Sequence, residues 1–89
     1  MTTEKQPLTL YVRDYCIYCS RVLRAADRLP LEIEVRNIWE HPAYERELVE
    51  ATGKRVVPVL AIGEPEGDPT WMPESRDIIR FLQSESVSA

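Results

Sequence analysis

Leu8-Thr9-Leu10-Tyr11-Val12-Arg13-Asp14-Tyr15-Cys16-Ile17-Tyr18-Cys19 is the stretch on which the reading turns. Its first five residues form a short β-rich run, bounded by Pro7 and by Arg13-Asp14. From Cys19 onward Val22, Leu23 and Ala26 recur at the spacing of one helical face, while Arg21, Arg24, Asp27 and Arg28 point the other way, and Leu29-Pro30 ends the pattern. A strand therefore passes into a helix where two cysteines stand three positions apart. Cys19 shares the apolar face and is drawn inward. Cys16, one turn earlier, falls at the helix tip beside unpaired backbone N–H groups. Those groups and the helix dipole favour the thiolate, which predicts a Cys16 pKa below the free value of about 8.5. Cys16 is then the nucleophile, and Cys19 the thiol that resolves a mixed disulfide. Two other readings stand beside this one: a pair of buried inert thiols, or half of a zinc site, for which the chain offers only His41 besides.

Outward from this junction, Ile33 to Ile38 alternates apolar and polar as a half-buried strand does. A second helix is expected from Pro42, tolerated in a first turn, to Gly53, suited to a left-handed cap, with Tyr44, Leu48 and Ala51 as its inward stripe. Val56 to Ile62 is β-branched, Gly63 to Pro69 turn-rich and Thr70 to Met72 a brief strand, which together read as a hairpin. In the last helix Ser75, Ile78, Ile79 and Leu82 share one face. The order is βαβ then ββα. It implies an α/β fold with a four-stranded mixed sheet, a right-handed parallel crossover followed by an antiparallel hairpin, flanked by helices. Pro58 interrupts the third strand: it is either an edge or bulge proline, or a cis proline that stops strand pairing beside the thiols and leaves the Val57 backbone N–H and C=O to an extended peptide.

Eighty-nine residues fit a single domain, with its core over about residues 8–83 and the polar ends, Met1 to Gln6 and Ser84 to Ala89, loosely held. No apolar run reaches the roughly 20 residues of a membrane span and the first residues carry no apolar stretch, so a cytoplasmic protein without a membrane partner is expected. Eleven basic against fifteen acidic side chains argue against nucleic acid. A disulfide between Cys16 and Cys19 would close almost no chain, so the pair reads as redox-active rather than as a staple.

The chain resembles a glutaredoxin, with the thioredoxin fold, from about Leu8 to Leu82. The resemblance is carried by Arg13, Cys16-Ile17-Tyr18-Cys19, and Val57-Pro58 before a hairpin. It implies glutathione-dependent reduction of protein disulfides and glutathionylated proteins by Cys16 and Cys19, with no metal required and a monomer expected. It also implies a glutathione site that includes Arg13 and Tyr18, with Arg55 near a glutathione carboxylate and Val57 and Pro58 along its cysteine. Ile17 stands where the family motif has proline, which removes a residue favoured in a first helical turn. After the hairpin, Trp71-Met72-Pro73-Glu74-Ser75-Arg76 is similar to the Glu-Ser helix start of the glutathione transferase N-terminal domain. That resemblance implies that Glu74 and Ser75 hold the γ-glutamyl end at a helix N-terminus; the simpler reading is that Ser75 caps the helix. A complete transferase is not expected, since its helical second domain is missing from these residues. Two further functions remain open: an electron donor reduced by a thioredoxin-type reductase, and an iron–sulfur cluster carrier using the first cysteine and glutathione. Tyr15 is expected beside the groove, Arg21, Arg24 and Arg28 on a solvated face, His41 at a helix entry, and Trp39 and Trp71 packed under loops.

Overall fold

Every second residue of Leu8-Thr9-Leu10-Tyr11-Val12 is apolar, yet all five are buried. A strand with both faces covered must lie inside a three-layer structure. A computed structural model of the chain, which describes residues 6–88, shows this arrangement. Strand β1 (Leu8–Val12), helix α1 (Ile17–Asp27), strand β2 (Glu34–Asn37), helix α2 (Pro42–Thr52), strands β3 (Val59–Ile62) and β4 (Thr70–Met72), and helix α3 (Ser75–Ser88) follow in order. The sheet order is β2-β1-β3-β4. β1 pairs parallel with β2, Leu10 opposite Val35, and antiparallel with β3, Leu10 opposite Leu60; β3 and β4 form the antiparallel hairpin.

Strand alternation divides the core in two. Leu8, Leu10, Val12 and Leu60 face Val22 of α1 and Ile78 and Leu82 of α3, in a cluster that also holds Cys16 and Cys19. Tyr11, Val59 and Ala61 face the other way, onto Leu48 of α2 and Ile38. On that second face the Tyr11 hydroxyl donates to Glu47 (2.9 Å), which Arg36 also bonds (2.6 Å), while Arg36 reaches Glu34 as well (2.7 Å). Burial, followed by the Glu47 carboxylate, pushes the Tyr11 phenol up to about 12.

Several boundaries differ from the sequence expectation. β2 is shorter than 33–38: Ile33 and Ile38 flank it and pack on opposite faces, while Val35 is exposed. α1 begins at Ile17 with Cys16 as its cap, as the expected placement of Cys16 at the helix tip requires. β3 begins only after Pro58, which has no N–H to give to a ladder. Gly53 closes α2 in the left-handed conformation (φ 78°), its N–H on the Val49 carbonyl. Ala51 is exposed and not part of an inward stripe; it opens onto the grooves beside Trp71. α3 continues through residues 84–88, which composition marked as loose, since each residue added to a formed helix completes another backbone bond. Of the corresponding N-terminal stretch, residues 1–5 lie outside the described residues.

Because Leu48 is the only fully buried side chain of α2, Leu48→Ala is expected to cost about 2–5 kcal/mol of unfolding free energy in urea titration, whereas the exposed Ala51→Ser should change it by less than about 0.5 kcal/mol. Equal effects would show that α2 is not anchored through this residue.

Candidate active site

Cys16 is the N-cap of α1: its backbone is extended (φ −124°, ψ 111°), and its carbonyl accepts the first helical bond from Ser20 (2.9 Å). In this position its Sγ accepts the Cys19 backbone N–H at 3.2 Å, as a serine or aspartate oxygen would at the same place. Ile17 occupies the first helical position and is largely exposed. Both cysteines are free thiols built into the α1–α3 side of the core, Cys16 at 8% exposure and Cys19 at 1%. Burial pushes the Cys19 thiol up to about 12, aided by its hydrogen bond to Cys16 and the Cys16 charge, and opposed by Arg13. The pair is thus asymmetric, with one sulfur at a helix start receiving an N–H and the other sealed beneath it. Cys16 is more enclosed than a helix tip suggests: like Cys19 it sits in the buried cluster with Leu10 and Val12.

The Val57–Pro58 bond is cis. Val57 packs against both halves of the core, and its backbone N–H and C=O have no hydrogen-bond partner among the described residues. Tyr18, Glu74 and Ser75 come together: with Arg21, Arg76, Asp77 and Ile79 they line a 580 Å³ cleft between the starts of α1 and α3. Ser75 is the first helical residue and not the cap; Glu74 holds the cap position, its carbonyl accepting the Ile78 N–H (2.8 Å). Glu74 also borders a second groove of 390 Å³ with Lys54, Val56, Trp71 and Pro73. Arg55 does not line that groove; it is 77% exposed and turns to Glu45 on α2 (3.9 Å). Lys54, one residue earlier, faces the groove instead, a difference that sequence spacing alone could not show.

Arg13 is likewise directed elsewhere than a ligand cleft. Its Nη1 donates to the carbonyls of Asp14 (2.9 Å) and Tyr15 (3.2 Å), and its guanidinium lies 5.2 Å from the Trp39 ring centroid. Trp39 is not packed under a loop: it is 53% exposed and lies 6.2 Å, centroid to centroid, from the Tyr15 ring. Tyr15 has φ 55°, a left-handed conformation that costs a non-glycine residue about 1–2 kcal/mol. Trp71 is half-buried against Tyr11 (5.4 Å), and His41 heads α2 with its ring edge-on to Tyr44. Among the described residues no three His, Cys, Asp or Glu side chains gather as a metal centre would require, and no helix is long and apolar enough to cross a membrane.

A mixed sheet ordered β2-β1-β3-β4, with Cys-x-x-Cys at the first strand–helix junction and a cis proline before β3, defines a thioredoxin-like fold. The glutaredoxin family model matches residues 8–65, and the chain belongs to that family. Solved structures share the fold. The glutathione transferase Omega 2S of Trametes versicolor superposes with a TM-score of 0.78 at 18% identity, over 93% of this chain and 38% of that one, so the chain spans well under half the transferase. A buckwheat glutaredoxin solved in complex with glutathione gives 0.66 at 23% identity, over 93% and 74%. The glutaredoxin-like NrdH-redoxin of Escherichia coli, described as having a thioredoxin-like activity profile, gives 0.65 at 27% identity, over 85% and 93%. No curated protein sequence matches the chain. Family and fold support a thiol–disulfide oxidoreductase role.

The raised Cys19 thiol has a consequence for stability. Unfolded, this thiol ionises in the ordinary cysteine range; in the folded protein burial pushes it up to about 12. The folded state therefore holds the proton more tightly, its contribution is complete below pH 9, and it is lost as pH rises toward 12. Urea midpoints of the reduced protein should fall across that window, and fall less steeply in Cys19→Ala; the same slope in both would assign the loss to other groups.

Proposed function

We propose that the protein is a glutathione-dependent thiol–disulfide oxidoreductase in which Cys16 attacks and Cys19 resolves. The observation that carries the reading is the 3.2 Å contact from the Cys19 N–H to the Cys16 Sγ, with Cys19 itself buried. A donor fixed on one sulfur stabilises charge there, both when it attacks as thiolate and when it later leaves.

In the first step the Cys16 thiolate attacks the glutathione sulfur of a glutathionylated protein; the Cys16–glutathione bond forms, the old disulfide breaks, and the protein leaves as its thiolate. The mixed disulfide takes the negative charge off Cys16. Two of the influences that hold the Cys19 proton, the hydrogen bond to Cys16 and its charge, weaken at that moment. Cys19 is thereby readied to lose its proton and attack Cys16, releasing glutathione thiolate and closing the intramolecular disulfide. Alternatively a second glutathione thiolate attacks the glutathione sulfur, returning Cys16 as thiolate and releasing oxidised glutathione. The direct route consumes one reduced glutathione, which leaves joined to the glutathionyl group as oxidised glutathione; the intramolecular route releases one glutathione and then takes two to reopen the Cys16–Cys19 disulfide, so both come to the same net reaction.

Glutathione takes the groove along these residues. Its cysteine lies against the unpaired Val57 backbone, whose strand pairing Pro58 prevents. Its γ-glutamyl carboxylate meets Ser75 and the N–H groups at the start of α3, with Glu74 available to the ammonium and Tyr18 on the opposite wall. Its other carboxylate is served by Lys54 rather than Arg55, which is engaged with Glu45. The glutathione complex of the buckwheat neighbour supports this ligand. Cytoplasm, with its glutathione pool, is the proposed location. A second reading, reduction by a thioredoxin-type reductase, is favoured by the likeness to NrdH-redoxin.

Cys16→Ser should abolish turnover of a small glutathione mixed disulfide, while Cys19→Ser keeps part of it and, incubated with oxidised glutathione, gains one glutathionyl group on Cys16 by intact mass. Activity surviving the first change would reverse the roles. Turnover with thioredoxin reductase and none with glutathione would select the second reading.

A further inference from the structure

We propose that Arg13, Asn37 and Trp39 form a clamp that positions Cys16, so that Arg13 and Trp39 act on the reaction through the backbone of the Asp14–Tyr15 turn and not by touching glutathione. This rests on the assignment of Cys16 as nucleophile made above.

The turn between β1 and α1 has little to hold it from within. Tyr15 is in the left-handed region at φ 55° and its side chain is 93% exposed, so no packing of that ring into the core fixes its backbone. Yet the Tyr15 carbonyl belongs to the peptide that leads directly into Cys16, and its orientation sets where the Cys16 sulfur stands relative to the Cys19 N–H. The restraint comes from the turn that follows β2. The Arg13 Nη1 reaches both carbonyls of the strained turn, at 2.9 and 3.2 Å, with its guanidinium 5.2 Å from the Trp39 ring centroid. Trp39 is itself placed by its N–H on the Asn37 Oδ1 (2.9 Å), and the Asn37 Nδ2 donates to the Asp14 carboxylate (3.0 Å). The Ile38 N–H on the Val12 carbonyl (2.8 Å) continues the link between the two segments. Tyr15 completes it from above, its ring against Trp39.

Arginine is the side chain this arrangement requires. A planar guanidinium can lie on an indole face while one of its nitrogens donates in its own plane to two carbonyls; an ammonium on a flexible stem cannot do both. Arg13 has no carboxylate partner among the described residues, so a charge role and a geometric role predict different behaviour for lysine at this position. If charge toward glutathione were its task, Arg13→Lys would preserve it. If the fork and the stacking matter, Arg13→Lys fails and Trp39→Ala, which leaves every charge in place, fails in the same way.

The test uses the full chain in the Cys19→Ser background, with glutathione disulfide as the probe. The rate of glutathionyl adduct formation on Cys16 is followed by intact mass, and the KM for glutathione is measured in turnover of a small glutathione mixed disulfide. Arg13→Lys and Trp39→Ala are each expected to slow adduct formation about tenfold through misplacement of the sulfur, with KM changed by less than about twofold. The double variant should be no slower than the slower single, since both remove one device, and Trp39→Phe, which keeps an aromatic face, should restore most of the rate. Should Trp39→Ala fail to fold, as judged by circular dichroism, Arg13→Lys and Arg13→Met supply the same comparison. A wild-type rate in Arg13→Lys, an effect confined to KM, or single losses that multiply in the double variant would each overturn the clamp. If Cys16 of the parent forms no adduct, the functional reading fails and the clamp with it; an adduct in the parent with unchanged rates in the variants removes the clamp alone.

Discussion

The hydrogen bond from the Cys19 N–H to the Cys16 sulfur is the contact to which the rest of the site answers. It exists because α1 starts one residue after Cys16, leaving N–H groups that no carbonyl in the helix can reach. A sulfur in the cap position supplies the missing acceptor. The same bond that completes the helix therefore directs partial positive charge at one thiol and, by three-residue spacing, places the second thiol underneath in the core. Structural need and chemical asymmetry share a single contact.

The surrounding fold serves to keep that contact in place and the space above it open. β1 delivers the chain to the junction from the centre of the sheet, buried on both faces. α3 packs beside α1, and the cleft between their starts is lined by Tyr18, Glu74 and Ser75. Pro58 stops β3 short, so Val57 ends next to the thiol-bearing cluster with its backbone groups unspent. The basic side chains near the site are unequal. Lys54 and Arg21 border grooves, Arg55 is drawn to Glu45, and Arg13 is occupied with the turn itself.

Much of the fold was legible because its determinants are local and periodic. The five-residue run of β1, the apolar face of α1, Pro42 and Gly53 at the two ends of α2, and the hairpin turn each announce an element within a few residues, and the βαβ-ββα order leaves few topologies. The places of the two cysteines, Cys16 at the helix start and Cys19 on the inward face, are also read from spacing, whereas the near-complete burial of Cys16 is not. What spacing could not show is side-chain direction at exposed positions. Arg55 and Lys54 are neighbours with the same charge, and only the path of the chain after Gly53 sends one to the groove and the other to α2. Trp39 looked like loop-covering ballast because tryptophan is usually buried; its contacts with Arg13 and Tyr15 arise from β2 lying parallel beside β1, which brings residues 37–39 next to residues 13–15. The left-handed Tyr15 carries no signal in its residue type, since glycine or asparagine is the usual marker of that conformation.

The two-sided sheet also apportions tolerance unevenly along the chain. One flank is a jigsaw of α1, α3 and the thiols, whereas the other is roofed by a helix that meets the sheet through buried Leu48, half-buried Tyr44 and the bonds of Glu47 to Tyr11 and Arg36. The exposed positions early in α2, away from Leu48 and from the Ala51–Thr52 end that borders the Lys54 groove, are therefore freer to vary than the α1–α3 seam, where the thiols sit among buried side chains.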